Sequence, residues 1–286
     1  MSILPADDYK DSWKPTYIYV HQGLNTGSVA DVWAFSNVSV GYPTADVSVT
    51  IDPANTTTGI VPVSATFASP RIFQFPSGAK GYLASVEMSA INTTSLVTYA
   101  GSMKIADVLW AAGHLAYNSG TTTFSSQASY SARVPFKADG TTRDYSHLEI
   151  WVGVNASPEF PTGQTVQVNY TNQDGVTGRS TPTLTLTLAA ASAGAWQLPL
   201  QVGDTGVQKI ESVTVSGGTQ GSFDVFVLRH LFMAAGDMGK RRKVYGAFMT
   251  NLPEIFADTC LLCLSKYPST QTTPFTMAMS VELAIK

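Results

Sequence analysis

The stretch VQVNYTNQDGVTGRST, residues 166–181, reads as a β-hairpin. Val166, Val168 and Tyr170 alternate with polar residues, the period of a strand with one buried face. Asp174-Gly175 supplies a turn, and polar residues around Gly178 lead into the next strand. The same rhythm continues in both directions. Upstream, strands are expected at Thr16–His21, Val47–Ile51, Gly59–Phe67, Arg71–Phe75, Tyr82–Ile91, Thr94–Ala106, Ser125–Pro135 and Ser146–Val154. Downstream they are expected at Thr183–Leu188, Gln197–Val202, Lys209–Val215, Phe223–His230, Lys243–Thr250, Cys260–Lys266 and Thr276–Ile285. Gly, Pro and Asp turns separate them, as at Asp52-Pro53.

Many short strands at such spacing predict an all-β fold, an antiparallel β-sandwich of jelly-roll-like form. At most one or two short helices are expected. Ile105–Tyr117 places Ile105, Val108, Leu109, Ala112 and Ala116 near one helical face, although Gly113 interrupts it. Asn251–Asp258 has Asn before Leu, an early Pro and an acid in its first turn, the pattern of a helix start. The organisation expected is an N-terminal arm (1–14), an N-terminal β domain (15–100) and a larger sandwich domain (101–286). No Pro/Gly/Ser-rich linker marks the boundary near 100.

Three phrases occur in order in the second part: SMKIADVLWAAGHL (102–115), VNYTNQDGVTGRSTP (168–182) and LPLQVGDTGVQKIESVTV (198–215). Together they resemble a family of tailed-bacteriophage virion structural proteins. The resemblance runs from about Gly101 to the C-terminus, and the first hundred residues have no counterpart in it. It implies a virion component without an active site, most simply a capsid decoration or cement protein. Such a protein would be made in the host cytoplasm and carried on the capsid exterior. Its implied partners are the major capsid protein and further copies of itself, a trimer among the arrangements open to it. A receptor- or glycan-binding module of a head fibre or tail is the alternative, and a tail or adaptor protein a third reading.

Composition agrees with a protein that packs against protein. Of the 286 residues, 13% are charged, about half the usual share, while Gly, Ser and Thr are plentiful. The net charge of −3 argues against a general nucleic-acid coat, which needs clustered Lys and Arg. No run approaches the roughly 18–20 apolar residues of a membrane helix. The opening MSILPADDYK has neither a basic start nor an apolar stretch, so no signal peptide and no membrane contact are expected.

Catalytic chemistry finds little support. No Gly-x-Ser-x-Gly elbow, His-Glu-x-x-His, P-loop or dinucleotide fingerprint occurs. No enzyme activity, cofactor or metal is therefore expected. His147 lies two residues before Glu149, and strand alternation would put both on one face. Asp144, Glu149, Glu159, Asp174 and Asp204 are the carboxylates that a folded chain could bring together for glycan hydrolysis. Cys260 and Cys263 form a Cys-x-x-Cys inside an apolar run, with no second pair to complete a zinc site. On one strand they would face opposite sides, which makes a disulfide awkward and buried packing the simplest role; redox and metal roles are the other options. Loops 118–123, 139–144 and 172–179 could supply the polar half of a glycan site.

Two features point to an interface. Lys240, Arg241, Arg242 and Lys243 are four consecutive cations, which belong in water, against an acidic capsid surface or, less simply, against nucleic acid. Trp13 stands in the polar stretch DDYKDSWK, where it either anchors in a partner's pocket or folds back on its own domain.

Overall fold

A computed structural model of the chain describes residues 6–14, 16–21, 33–36, 58–63, 75–92, 99–116, 120–154, 164–186, 194–217, 222–238, 243–266 and 275–286. The first strands are β1 (Thr16–His21), β2 (Trp33–Ser36), β3 (Gly81–Asn92), β4 (Tyr99–Ala116) and β5 (Gly120–Thr123). Next come β6 (Leu148–Val154), β7 (Gln164–Asn172), β8 (Arg179–Ser180), β9 (Leu184–Leu186), β10 (Gly194–Leu198) and β11 (Val207–Ser216). The last are β12 (Ser222–Met238), β13 (Lys243–Tyr245), β14 (Glu254–Ile255), β15 (Leu261–Lys266) and β16 (Phe275–Ile285). Helices are confined to α1 (Ala6–Lys10), α2 (Ala247–Thr250) and a 3₁₀ turn at Ser131–Arg133 among the described residues. Every ladder between these strands is antiparallel, as the hydrophobic rhythm predicts.

The strands β10, β2, β15, β4, β12 and β6 close into a barrel. Its narrow interior is filled by side chains, chiefly Ala106, Val108, Ala111, Trp151, Phe226, Leu228, Cys260, Leu262 and Leu264. The outer face of the barrel carries a sheet at each end. At one end β4, β6 and β12 pack on the sheet of β5, β11, β7, β8 and β9, enclosing Trp110, Ile150, Val168, Tyr170, Ile210, Val213 and Val225. At the other, β4, β12 and β15 pack on the sheet of β1, β16, β3, β13 and β14 around Met88, Ile105, Phe232, Cys263 and Val281. The expected antiparallel sandwich is thus present, and two long strands, β4 and β12, run through both of its halves.

Bulges let these two strands do so. Val108 pairs with Leu228 and Trp110 with Val227, leaving Leu109 as the extra residue on β4. Before it, Met103 and Ile105 face outward; after it, Trp110 and Ala112 do. One added residue reverses the parity, so apolar residues continue on the same face past the bulge. This bulge also explains why Ile105–Tyr117 mimics a helix in sequence. A strand buried on both faces and interrupted by bulges has no clean period of two. The expected helix there is strand β4.

The second expected helix, Asn251–Asp258, is also corrected. Asn251 ends α2 rather than starting a helix, with φ of 56° in the left-handed region that Asn tolerates at a C-terminal cap. Residues beyond it form β14. The boundary expected near residue 100 falls inside β4. Strands from before it share sheets with strands from the end of the chain: β1 and β3 with β16, and β2 with β15. The described strands of 15–100 therefore make no sheet of their own. The arm lies along the molecule: Trp13 and Ile285 exchange both backbone hydrogen bonds, and Tyr9 packs against Tyr82, Ala84, Leu252 and Ala284.

Candidate functional site

Polar groups interrupt the core at two places on β4 and β12, one on each face. The first is sealed. Asp107 faces outward between the two halves of the sandwich and is wholly buried. Its Oδ1 lies 3.3 Å from Arg133 Nη1 and its Oδ2 3.1 Å from Arg229 Nη2. Oδ1 also accepts the Cys260 backbone N–H (3.0 Å). Each arginine also donates to backbone, Arg133 to the carbonyls of Asp258 (2.8 Å) and Val108 (2.5 Å) and Arg229 to that of Glu254 (2.8 Å), while the buried Nε of each has no hydrogen-bond partner. Burial lowers the Arg229 pKa, and the Asp107 charge opposes that shift. The group ties together β4, the Ser131–Arg133 turn, β12 and the 254–260 segment.

The second lies on the inner face, at one mouth of the barrel. Lys104 Nζ donates to both carboxylate oxygens of Glu149, 2.6 Å to Oε1. Trp151 Nε1 donates to Glu149 Oε2 (2.7 Å), and the Lys104 ammonium lies 5.0 Å from the Trp151 ring centroid. His230 stands beside this pair. Burial, then the Lys104 charge, lower its pKa against the opposing pull of Glu149, and its buried Nδ1 has no hydrogen-bond partner. This mouth opens into a cleft of about 680 Å³ between the loop Pro199–Thr205 and the start of α2's capping turn. Glu149, His147 and His230 form part of its floor, and Val202, Met233 and Met249 part of its rim. These three are exposed at 96%, 50% and 62% of their surface. They are half of the six large exposed apolar side chains among the described residues. Such clustering is the mark of a contact surface, since scattered single residues are the ordinary case.

The other acid on the cleft, Asp204, is already used by the chain. Its carboxylate accepts from Tyr170 Oη (2.7 Å), Asn172 Nδ2 (2.8 Å) and Arg179 Nε (2.9 Å). Burial alone would raise its pKa, but these hydrogen bonds and the Arg179 charge bring it below the ordinary carboxylate range. Burial and the bond to Asp204 push the Tyr170 hydroxyl up to about 12. Asp204 thus locks the 166–181 hairpin to the loop before β11. The hairpin itself is as read from the sequence: Tyr170 pairs with Arg179, and Gly175 takes φ of 80°, which a side chain would strain. Asn172 Oδ1 accepts from the backbone of Asp174 and Val176 and holds the turn.

The remaining candidates divide plainly. His147 and Glu149 do not share a strand face, because His147 precedes β6 with φ of 62°. Asp144 caps its own loop through the Ser146 N–H, and Asp174 pairs with Gln173. Asp139 Oδ1 accepts the N–H groups of Thr141 and Thr142, which lower its pKa to about 2. The loops at 139–144 and 172–179 therefore satisfy their own polar groups. Cys260 and Cys263 are buried and in no disulfide, one packed in the barrel interior and one outside it. Burial pushes the Cys263 thiol up to about 12. Trp13 is 60% exposed on a backbone fixed by Ile285. Lys240, Arg241, Arg242 and Glu159 lie outside the described residues, and Lys243 opens β13 opposite Met88. Among the described residues, no three His, Cys, Asp or Glu side chains gather as metal ligands, and no helix is long and apolar enough to cross a membrane. Sequence reasoning missed the Asp107 and Lys104 clusters, and the SMKIADV run holding both residues offered only an even spacing of charges.

No family model and no curated protein matches the chain. A search of solved structures returns capsid proteins of infectious bursal disease virus. The VP2 subviral particle has 10% identity and a TM-score of 0.24, over 100% of this chain and 83% of that one. The Gt strain structure has 9% identity and a TM-score of 0.22, over 96% and 81%. A likeness of this size carries no inference about function.

Proposed function

We propose that this chain is a non-enzymatic structural component of a tailed-phage virion, a decoration or cement protein that binds the outer capsid and bridges capsomers. The observation that carries the reading is the cleft rim, where Val202, Met233 and Met249 stand exposed together. Apolar surface gathered at one place gains most when another protein covers it. The polar loops suited to a sugar ligand are satisfied internally at Asp139, Asn172 and Asp204, which weighs against glycan binding. The phrase resemblance supplies the virion context, and two of its phrases are joined by Asp204. The major capsid protein is the partner this reading requires, with self-association, as a trimer or otherwise, alongside it.

The test is the copy number of this chain per purified virion of the phage that encodes it, by quantitative mass spectrometry against the major capsid protein. Hundreds of copies in simple ratio to the capsid protein are expected. A few to a few dozen would transfer the protein to the vertices or tail, and absence from the particle would overturn the virion reading.

A further inference from the structure

Independently of the virion reading, we infer that a second, smaller pocket binds an acidic sugar: one sugar ring carrying a carboxylate. The pocket has a volume of about 290 Å³ and lies where residues 127–131 and Tyr145 meet Thr171 of β7 and Gln208-Lys209 of β11. That is room for one monosaccharide, at the small end of the range for ligand pockets. Tyr130 is buried, donates its hydroxyl to the Val207 carbonyl (3.0 Å) and meets the Tyr145 ring edge-on at 6.3 Å, which fixes the aromatic wall. Gln127 is anchored too, its Oε1 accepting the Ile210 backbone N–H (2.7 Å). Fixed walls lower the entropy lost when a ligand is taken up.

The groups left over select the ligand. Gln127 Nε2, the Gln208 amide, Tyr145 Oη and Lys209 Nζ have no hydrogen-bond partner among the described residues. Lys209 is the only charged side chain lining the pocket. Glu211, two residues along β11, is taken up by the Thr171 hydroxyl (2.8 Å) and the Gly178 N–H (3.3 Å). The matching ligand therefore carries a negative charge. An aliphatic acid would leave the amides and the hydroxyl unpaired. An amino acid needs an anion for its ammonium, and no carboxylate lines the pocket. A sugar acid supplies hydroxyls for the two Gln amides and Tyr145 Oη, a C–H face for the aromatic wall and a carboxylate for Lys209. Asp139, Asn172 and Asp204, which close the loops to a ligand, do not line this pocket.

Saturation-transfer NMR on the purified full chain tests this, with D-glucuronate, D-glucose and acetate as probes. Glucuronate is expected to bind with a Kd of about 1 mM, glucose about tenfold more weakly, and acetate not at all. Lys209→Met should weaken glucuronate about tenfold and leave glucose unchanged, a split that a general loss of structure would not give. Gln208→Ala should weaken both sugars. Both altered side chains are partly exposed, so unchanged melting curves are expected. Tyr145→Phe, which keeps the ring, replaces either variant that melts early. The methyl glycoside of glucuronate separates two sources of the sugar. Binding equal to that of glucuronate assigns the site to the end of a saccharide chain, and loss of binding assigns it to the free sugar. No transfer to glucuronate, equal binding of acetate and glucuronate, or glucuronate binding unchanged in both variants would each overturn the inference. The measurement uses the isolated chain, so its failure leaves the virion reading and its copy-number test untouched.

Discussion

Lys104 and Asp107 stand three residues apart on β4, and Arg229 and His230 are neighbours on β12, yet the two polar clusters they build differ in what surrounds them. Asp107 is sealed between two sheets, with both arginines bound to it and to backbone. Glu149 and His230 sit at an open barrel mouth, with one nitrogen unpartnered and exposed methionines above them. Both clusters leave buried nitrogen without a partner, Nε of each arginine in the first and Nδ1 of His230 in the second, so the difference lies in what covers them. A cluster closed over by its own chain holds the fold together, and one beside uncovered apolar surface leaves a face for another molecule. Alternation along two bulged strands is what assigns neighbouring residues to these opposite purposes.

The sharpest test is to delete one carboxylate from each cluster. Asp107→Ala leaves two buried guanidinium groups without a counter-charge and should cost about 3–5 kcal/mol in denaturant unfolding. Glu149→Gln keeps oxygen acceptors for Trp151 and for the buried Lys104 but removes the counter-charge, so a smaller loss of about 1.5–3 kcal/mol is expected. Equal losses would abolish the distinction between sealed and open. Asp204→Asn comes next. It weakens three hydrogen bonds, one to a charged partner, and should cost about 1.5–3 kcal/mol. Faster hydrogen exchange confined to residues 172–179 would show that the hairpin is what it holds.

Much of this was legible beforehand, for a physical reason. The hairpin at 166–181 was readable because its partners are local: alternation, Asp-Gly and Asx chemistry all act within a few residues. The buried cysteines were readable because a strand puts residues three apart on opposite faces. The Asp107 cluster was not, because Asp107, Arg133 and Arg229 are brought together by pairings more than twenty residues apart in sequence. The two helix readings failed for a related reason. At Ile105–Tyr117 a bulge breaks the strand period, and at Asn251 one residue type serves both ends of a helix. The Lys240–Lys243 cations lie largely outside the described residues, and the interface that can be argued is elsewhere.

The open cluster should also be the acid-sensitive one. The groups facing His230 are Lys104 on β4, Glu149 on β6 and His147 before it. Burial and Lys104 hold the His230 pKa below its unfolded value of about 6.5. Between those two pKa values the unfolded chain binds the extra proton and the folded chain does not. Stability from this group is therefore complete above about pH 6.5 and is lost as the pH falls below it, by at most about 1.4 kcal/mol per pH unit. His230→Gln should flatten that part of the stability profile, measured as denaturant unfolding at several pH values. A variant with the wild-type slope would move the acid response to other groups.

The smallest expected effect is the most telling about the rim. Val202 is 96% exposed at the tip of the Pro199–Thr205 loop, beside Gly203 with φ of 92°. A valine there buries almost nothing within its own chain, so Val202→Ser should change unfolding stability by less than about 0.5 kcal/mol. Selection for folding alone gives no reason to keep an apolar side chain in that position. If the residue serves contact between molecules, the same substitution must weaken association while leaving the melt untouched. A loss in both would mean that the loop is part of the fold after all, and the open cluster would then be a second structural joint.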